Sequence, residues 1–112
     1  MTGPRTPERL LSRLRDGSAA EDAIAALTAG LERTRTRTAG EPADTLSSMM
    51  AVFLPMAEDD DSAVRTMAAL MWLSQIAGVI LDRWVARFGP LVDPYEVVAE
   101  FARIATEEGW PE

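Results

Sequence analysis

The sequence predicts an all-α fold of about five helices, and three observations support that prediction. No segment alternates apolar and polar residues for long enough to form a strand. Residues that start and stop helices recur between stretches with apolar side chains at helical spacing. The stretch 67–81 is apolar apart from Ser74, Gln75 and Gly78. We therefore expect one long apolar central helix at about 62–88, packed by shorter amphipathic helices in a dimeric helical bundle.

The composition bounds the domain organisation and the possible partners. The 112 residues suit a single domain, 1–112, that can bury a core without disulfides. The chain has no cysteine, histidine or lysine, and its eleven arginines stand against eighteen acidic residues, which gives a net charge of −7. This balance disfavours nucleic acid and membrane as partners and favours a protein with a basic surface. No apolar stretch typical of a secretory signal follows the first residues, so we expect a cytoplasmic protein.

Two helices are predicted in the first third of the chain, at about 7–16 and 19–37. Thr6 is the predicted N-cap of the first helix. Gly17 is expected to end that helix in a left-handed conformation. Ser18 follows immediately and is the predicted N-cap of the second helix, so the turn between the two is tight.

The second helix has a predicted core face and one weak position. Gly30 in its interior costs about 1 kcal/mol relative to alanine, so we expect a close contact with another helix there. The positive charges of Arg33, Arg35 and Arg37 are favoured at the C-terminal end of the helix, where the macrodipole is negative. They point in different directions, which makes a poor surface for nucleic acid. The predicted core face consists of Ala20, Ala23, Ile24, Leu27 and Leu31.

Two further helices are predicted on either side of the long one, at about 45–54 and 94–108. Pro55 disfavours helical geometry at the residue before it, so the first of them should end or kink there. Asp93 as N-cap and Pro94 as first helical residue form the clearest helix start in the chain. The predicted core faces are Leu46, Met49, Met50 and Phe53 in the first, and Val97, Val98, Phe101, Ile104 and Ala105 in the second.

Residues 58–61 are four consecutive carboxylates, and two interpretations of them compete. Hard divalent cations bind carboxylate oxygens, but consecutive side chains diverge and the alternating spacing of a calcium loop is absent. Alternatively, Asp61 or Ser62 caps the long helix, and the remaining charge lies near its positive end. We prefer the second interpretation and predict no metal site.

The long helix is the predicted dimer interface. It would be roughly 40 Å long, and a small domain is only ~30 Å across, so one chain leaves part of it uncovered. Ser74 and Gly78 are small residues four apart, a spacing that lets a second backbone approach closely. Only sixteen uncharged residues separate Arg65 from Asp82, fewer than the ~20 of a membrane span. The predicted interface consists of Met67, Leu70, Met71, Ser74, Gly78 and Leu81.

The residue types exclude most enzyme chemistry. Without histidine, cysteine or lysine, the chain lacks the usual general bases, covalent nucleophiles and Schiff-base amines. No glycine-rich phosphate loop is present, and we predict no catalytic residue and no cofactor. One exception is Asp82, which shares a helix face with Gln75 and could act as an acid or base if it lay in an apolar pocket. In the other interpretation Asp82 pairs with an arginine, and Gln75 fixes the register of the helices.

Methionine and aromatic side chains cluster on both sides of the acidic run, and this allows two interpretations. They could line an adaptable groove for a partner protein or a small apolar ligand, or they could fill an irregular core. The candidate groove residues are Met49, Met50, Phe53, Met56, Trp72, Gln75 and Asp82.

The sequence leads to two hypotheses of function. The first is a small acidic, non-enzymatic accessory or regulatory protein that acts by protein–protein interaction as a homodimer. It is favoured by the missing catalytic residue types and by the apolar surface of the long helix. The alternative is a helical module that encloses a small apolar ligand, either as a carrier or as an acid–base catalyst using Asp82.

Overall fold

A computed structural model describes residues 6–38 and 45–109 of the chain. These residues form five α-helices and no strand, with a long apolar helix packed against shorter ones, which confirms the predicted all-α class, while the predicted dimer stays a prediction. The helices are α1 (Thr6–Arg15), α2 (Gly17–Thr38), α3 (Thr45–Ala57), α4 (Ser62–Ala86) and α5 (Pro94–Glu108).

The chain divides into two compact units, which are described separately. The first unit, Met1–Gln75, contains α1, α2, α3 and the first part of α4. The second unit, Ile76–Glu112, contains the rest of α4 and α5.

The core of the first unit is built mainly from small residues. The predicted core face of α2 is partly wrong: Ala23 is buried, but Ile24 and Leu31 are more than half exposed. The helix turns its alanines inward because side chains of one carbon let helix axes approach closely, and larger residues would hold them apart. The buried residues of this unit are Ala19, Ala23, Ala26 and Ala29 of α2, Met56 of α3, and Val64, Ala68 and Ala69 of α4.

The junction of α1 and α2 differs from its prediction. Gly17 does not adopt a positive φ and is the first residue of α2. The capping role falls to Asp16, whose Oδ1 accepts the backbone N–H of Ser18 at 3.0 Å. The hydroxyl of Ser18 is buried and has no hydrogen-bond partner among the described residues, so Ser18 is not the N-cap. An aspartate immediately before the helix satisfies the same free N–H groups that a serine would.

Two other local predictions are also wrong. α3 continues through Pro55 to Ala57 and does not end at residue 54. A proline in the last turn removes a single backbone hydrogen bond, and the burial of Met56 together with a 3.2 Å hydrogen bond from Arg65 Nη1 to the Pro55 carbonyl stabilises that turn. At Gly30, a Cβ would meet nothing within 4 Å, so no close helix contact explains this glycine.

The second unit follows its helix signals closely. α4 ends at Ala86, two residues before the predicted end, and Gly89 follows with φ +77°. Asp93 caps α5 as predicted, with Oδ1 accepting the backbone N–H of Tyr95 at 3.0 Å and Pro94 in the first turn. Val85 is the buried residue of this unit's described part. The predicted core face of α5 divides into half-buried Val97 and Ile104, and exposed Val98, Phe101 and Ala105.

Candidate functional site

A branched ion pair fixes the first turn of α4 against the other helices. Arg65 donates from Nε to Asp22 Oδ2 at 2.9 Å and from Nη2 to Asp22 Oδ1 at 3.0 Å. Its Nη1 donates to Asp59 Oδ2 at 3.2 Å. The planar guanidinium matches the carboxylate with two parallel hydrogen bonds, a geometry that is stronger than a single contact. These bonds with Asp22 raise the pKa of Arg65 above its already high usual value, so the arginine stays charged.

The acidic run is tied to α1 by two more arginines. Asp59 pairs with Arg13 at 3.3 Å, and Asp61 pairs with Arg9 at 3.4 Å. The pKa of Asp59 is held below the usual aspartate value, first by the hydrogen bond from the backbone N–H of Asp61 and then by the neighbouring guanidiniums. Sequence reasoning missed this network, although Arg9 and Arg13 lie four residues apart on one face of α1.

Trp72 holds a second point of α4 in place. Its indole Nε1–H donates to the Leu14 carbonyl of α1 at 3.0 Å. Val64 and Ala68 are buried. They lie eight and four residues before Trp72, and therefore on the same side of the helix. One side of α4 in the first unit is therefore packed against its own chain, and its orientation is fixed.

The adjoining side of the same helix segment is apolar and largely exposed. Met67, Leu70 and Met71 recur at helical spacing there, and Ser74 follows them on the same face. Each of the three large side chains is about half exposed. No charged residue lies between Arg65 and Asp82. This segment therefore presents a continuous apolar stripe to the surroundings.

An apolar groove extends this stripe from α4 to α3. Its volume is about 240 Å³, and Thr66 is the one polar residue in its lining. Phe53 and Leu70 both contribute to its walls, so the exposed side chains of the two helices meet there. The other lining residues are Ala26, Met56, Ala57, Ala69 and Leu73.

On α3, Met50 and Leu54 lie on the same face as Phe53, at spacings of three and four residues. Together with the stripe, they form what is called here the α3–α4 surface, defined by six large apolar residues. All six are between 41% and 58% exposed. The six are Met50, Phe53, Leu54, Met67, Leu70 and Met71.

The predicted dimer-interface residues are all at least partly exposed. Met67, Leu70, Met71 and Ser74 are exposed residues of the first unit. In the second unit, Gly78 is exposed, with open space where a Cβ would point, and Leu81 is half-buried. Their contact with a second chain remains a prediction. Leu54 belongs to the same surface but was not among the predicted site residues.

The predicted groove does not form a single site. Phe53 and Met56 line the groove already described. Trp72 and Gln75 line a different and shallower one of about 220 Å³, together with Leu14 and Met71. Met49 is half-buried and Met50 is exposed. Asp82 is an exposed residue of the second unit, so this carboxylate does not lie in the apolar pocket that an acid–base role would require.

No protein-family model, no curated protein and no solved structure matches the chain. Among the residues that the structure describes, no group of three His, Cys, Asp or Glu side chains could hold a metal ion. By length and composition alone, α4 could cross a membrane, and only 17% of its most apolar segment is buried.

Proposed function

We propose that this chain is a non-enzymatic accessory or regulatory protein that acts by binding protein through the α3–α4 surface, and that the first occupant of this surface is a second copy of the chain. The observation that carries the proposal is that α3 and α4 of the first unit carry six half-exposed large apolar residues, two of which, Phe53 and Leu70, line an apolar groove.

The size of the surface supports a protein partner. The largest apolar patch of a typical soluble monomer is about 300–600 Å² and is often functional, and the α3–α4 surface combines six large apolar residues that are each 41–58% exposed. A standard interface takes about 800 Å² from each partner, of which more than half is apolar. The six side chains and their immediate neighbours would supply an area of that order.

The distribution of charge supports a second copy as the partner. Two molecules that each carry a net charge of −7 repel one another over most of their surface. The stripe on α4 carries no charge, so two copies can meet there without placing carboxylates opposite each other. A two-fold dimer requires such a self-complementary patch. Ser74 and Gly78 would let the two helices approach closely where they cross.

A membrane is a poorer partner for α4. The sixteen uncharged residues between Arg65 and Asp82 span about 24 Å as a helix, short of the ~30 Å hydrocarbon core. At one end of this segment Arg65 is held by Asp22 and Asp59, which would have to enter the membrane with it.

The groove itself supports a second candidate function, a carrier of a small apolar ligand. Its lining of one threonine and seven apolar residues would accept an uncharged molecule. Its volume of about 240 Å³ lies just below the ~300 Å³ at which typical ligand sites begin. Asp82 has no part in this candidate, so the acid–base catalyst that the sequence allowed is not proposed.

Native mass spectrometry of the purified protein tests these proposals together. A dimer without added mass supports the interaction protein. A small molecule that remains bound in the native spectrum and is lost on denaturation supports the carrier. A bare monomer at all concentrations, with the protein recovered on phospholipid vesicles after flotation, would overturn both in favour of a membrane-bound helix.

A further inference from the structure

The second unit has a groove of its own, formed by the end of α4 and one side of α5. Its volume is about 300 Å³. Aromatic and aliphatic side chains make up most of its lining, and the charged residues among the described lining are all carboxylates. The lining consists of Trp84, Val92, Asp93, Glu96, Val97, Glu100, Phe101 and Ile104.

Two aromatic side chains that line the groove are accessible to solvent. Trp84 is 47% exposed and Phe101 is 64% exposed, although both line the groove. Trp84 is held by an edge-to-face contact with Phe88, with ring centroids 5.0 Å apart. Val97 and Ile104 also line the groove and are half-buried. Partly exposed aromatic rings on a fixed helix are typical anchor points of protein interfaces.

The rim of the groove is acidic. Glu96 has no ion-pair partner among the described residues, and Asp93 uses one oxygen to cap α5. Glu100 pairs with Arg103, which also pairs with Glu107 and does not line the groove. Over residues 76–112 the chain carries seven acidic residues and three arginines. The field around the groove is therefore negative and attracts a cationic partner.

We propose that this groove binds a basic amphipathic segment of a partner protein, with a large apolar side chain on Trp84 and Phe101 and arginine or lysine side chains beside Glu96 and Glu100. This inference rests on the proposed function and names the chemistry of the second partner. A second copy of the chain is a poorer occupant, because its net charge of −7 opposes approach to an acidic groove. An amphipathic helix presents both features on one face at spacings of three and four residues.

Synthetic peptides of about 18 residues provide the test. The first has leucine and tryptophan at amphipathic spacing with lysine and arginine elsewhere. The second replaces the basic residues by glutamate, and the third scrambles the first. With fluorescein-labelled peptides and the full-length protein, anisotropy should give a Kd of about 10 µM for the first peptide. The other two should bind at least about ten-fold more weakly, and added salt should weaken the first.

Matched variants locate the binding site. Phe101→Ala should weaken the basic amphipathic peptide about ten-fold, and Tyr95→Ala, on the same helix but outside the groove, should not. The double variant E96Q/E100Q should weaken binding about three- to ten-fold. The control E107Q/E108Q removes the same number of charges from α5, and each double variant removes one partner of Arg103.

Equal affinity for the basic and acidic peptides, equal affinity of wild type and Phe101→Ala, or no binding at about 100 µM peptide would each overturn the inference. Leu70→Glu, in the first unit, separates this inference from the proposed dimer. If that variant binds the peptide like wild type, the peptide is not simply adhering to the α3–α4 surface. If the wild type dimerises but binds no peptide, the groove proposal alone fails.

Discussion

The guanidinium of Arg65 in α4 donates two parallel hydrogen bonds, of 2.9 and 3.0 Å, to the carboxylate of Asp22 in α2. The two residues are 43 positions apart in sequence, so this contact joins helices that no local signal connects. By fixing one side of α4 to α2, it leaves the stripe of Met67, Leu70 and Met71 facing outward.

Removal of this arginine should destabilise the fold. Arg65→Ala leaves Asp22 without its partner, and we expect the free energy of unfolding to fall by about 2 kcal/mol, the scale of hydrogen bonds to charged groups. Arg65→Lys should recover less than half of the loss, because an ammonium cannot make the paired contact. Urea unfolding followed by circular dichroism gives both values.

Arg83→Ala is the matched control, since Arg83 is an exposed arginine of the same helix. It should change stability by no more than about 0.5 kcal/mol. Equal effects of the two alanine variants would mean that the ion pair contributes little.

Asp59 should make stability depend on acidity. Its pKa in the folded chain lies below the ordinary value of 3.8, so near that pH the folded state binds fewer protons than the unfolded state. The stabilisation is present above the ordinary value and is lost as the pH falls through the lowered one. Unfolding free energies measured in urea from pH 5 downward, the range in which unperturbed aspartates begin to titrate, should fall less steeply for Asp59→Asn than for wild type.

The control variant Asp60→Asn tests whether Asp59 is responsible for the fall of the unfolding free energy with decreasing pH. Asp60 is the exposed neighbour and takes no part in the described ion pairs with Arg13 and Arg65. Its variant should keep the wild-type slope. A wild-type slope in Asp59→Asn would contradict the assignment.

Two glycines should respond to alanine in opposite directions. At Gly30 a methyl group meets nothing within 4 Å, so Gly30→Ala should stabilise α2 by about 0.5–1 kcal/mol. At Gly109 the backbone has φ +73° and ψ −162°, a region that is essentially restricted to glycine, so Gly109→Ala should destabilise by about 1–3 kcal/mol. Thermal unfolding monitored by circular dichroism checks both signs. A loss of stability in Gly30→Ala would reveal a close contact there.

The double variant S74L/G78L tests the proposed helix crossing. Within one chain both positions are exposed, and a Cβ at Gly78 has open space, so the monomer should fold normally. In a dimer that crosses at these residues, two leucines would push the helices apart. We expect dissociation to be at least ten-fold easier in size-exclusion chromatography with light scattering. An unchanged dimer would place the crossing elsewhere.

The fold class followed from signals that act locally. The cap at Asp93, the proline after it and the apolar run of α4 are short-range features, and they predicted helix positions to within a few residues. The face of α2 could not be predicted in the same way. Hydrophobicity places Ile24 and Leu31 inside, but the facing helices pack on alanines because these allow closer approach. That choice depends on the partner helix and not on α2 itself.

The candidate site could be predicted only in part. The stripe on α4 is visible in the sequence because its spacing is helical and no charge interrupts it. Its extension onto α3 was predicted only as a candidate groove that included Met50 and Phe53, because no local rule brings Phe53 beside Leu70. Asp82 failed as a site residue for a related reason: burial of a carboxylate is a tertiary property that helix spacing does not determine.

The most direct test of the proposed dimer is sedimentation equilibrium of wild type, Leu70→Glu and Leu91→Glu over a range of concentrations. Leu70 lies at the centre of the α3–α4 surface, whereas Leu91 is a 94% exposed leucine that precedes α5 and serves as the matched control. We expect twice the monomer mass for wild type and Leu91→Glu, and the monomer mass for Leu70→Glu. A wild-type protein that stays monomeric, or a Leu70→Glu variant that dimerises like wild type, would contradict the proposal.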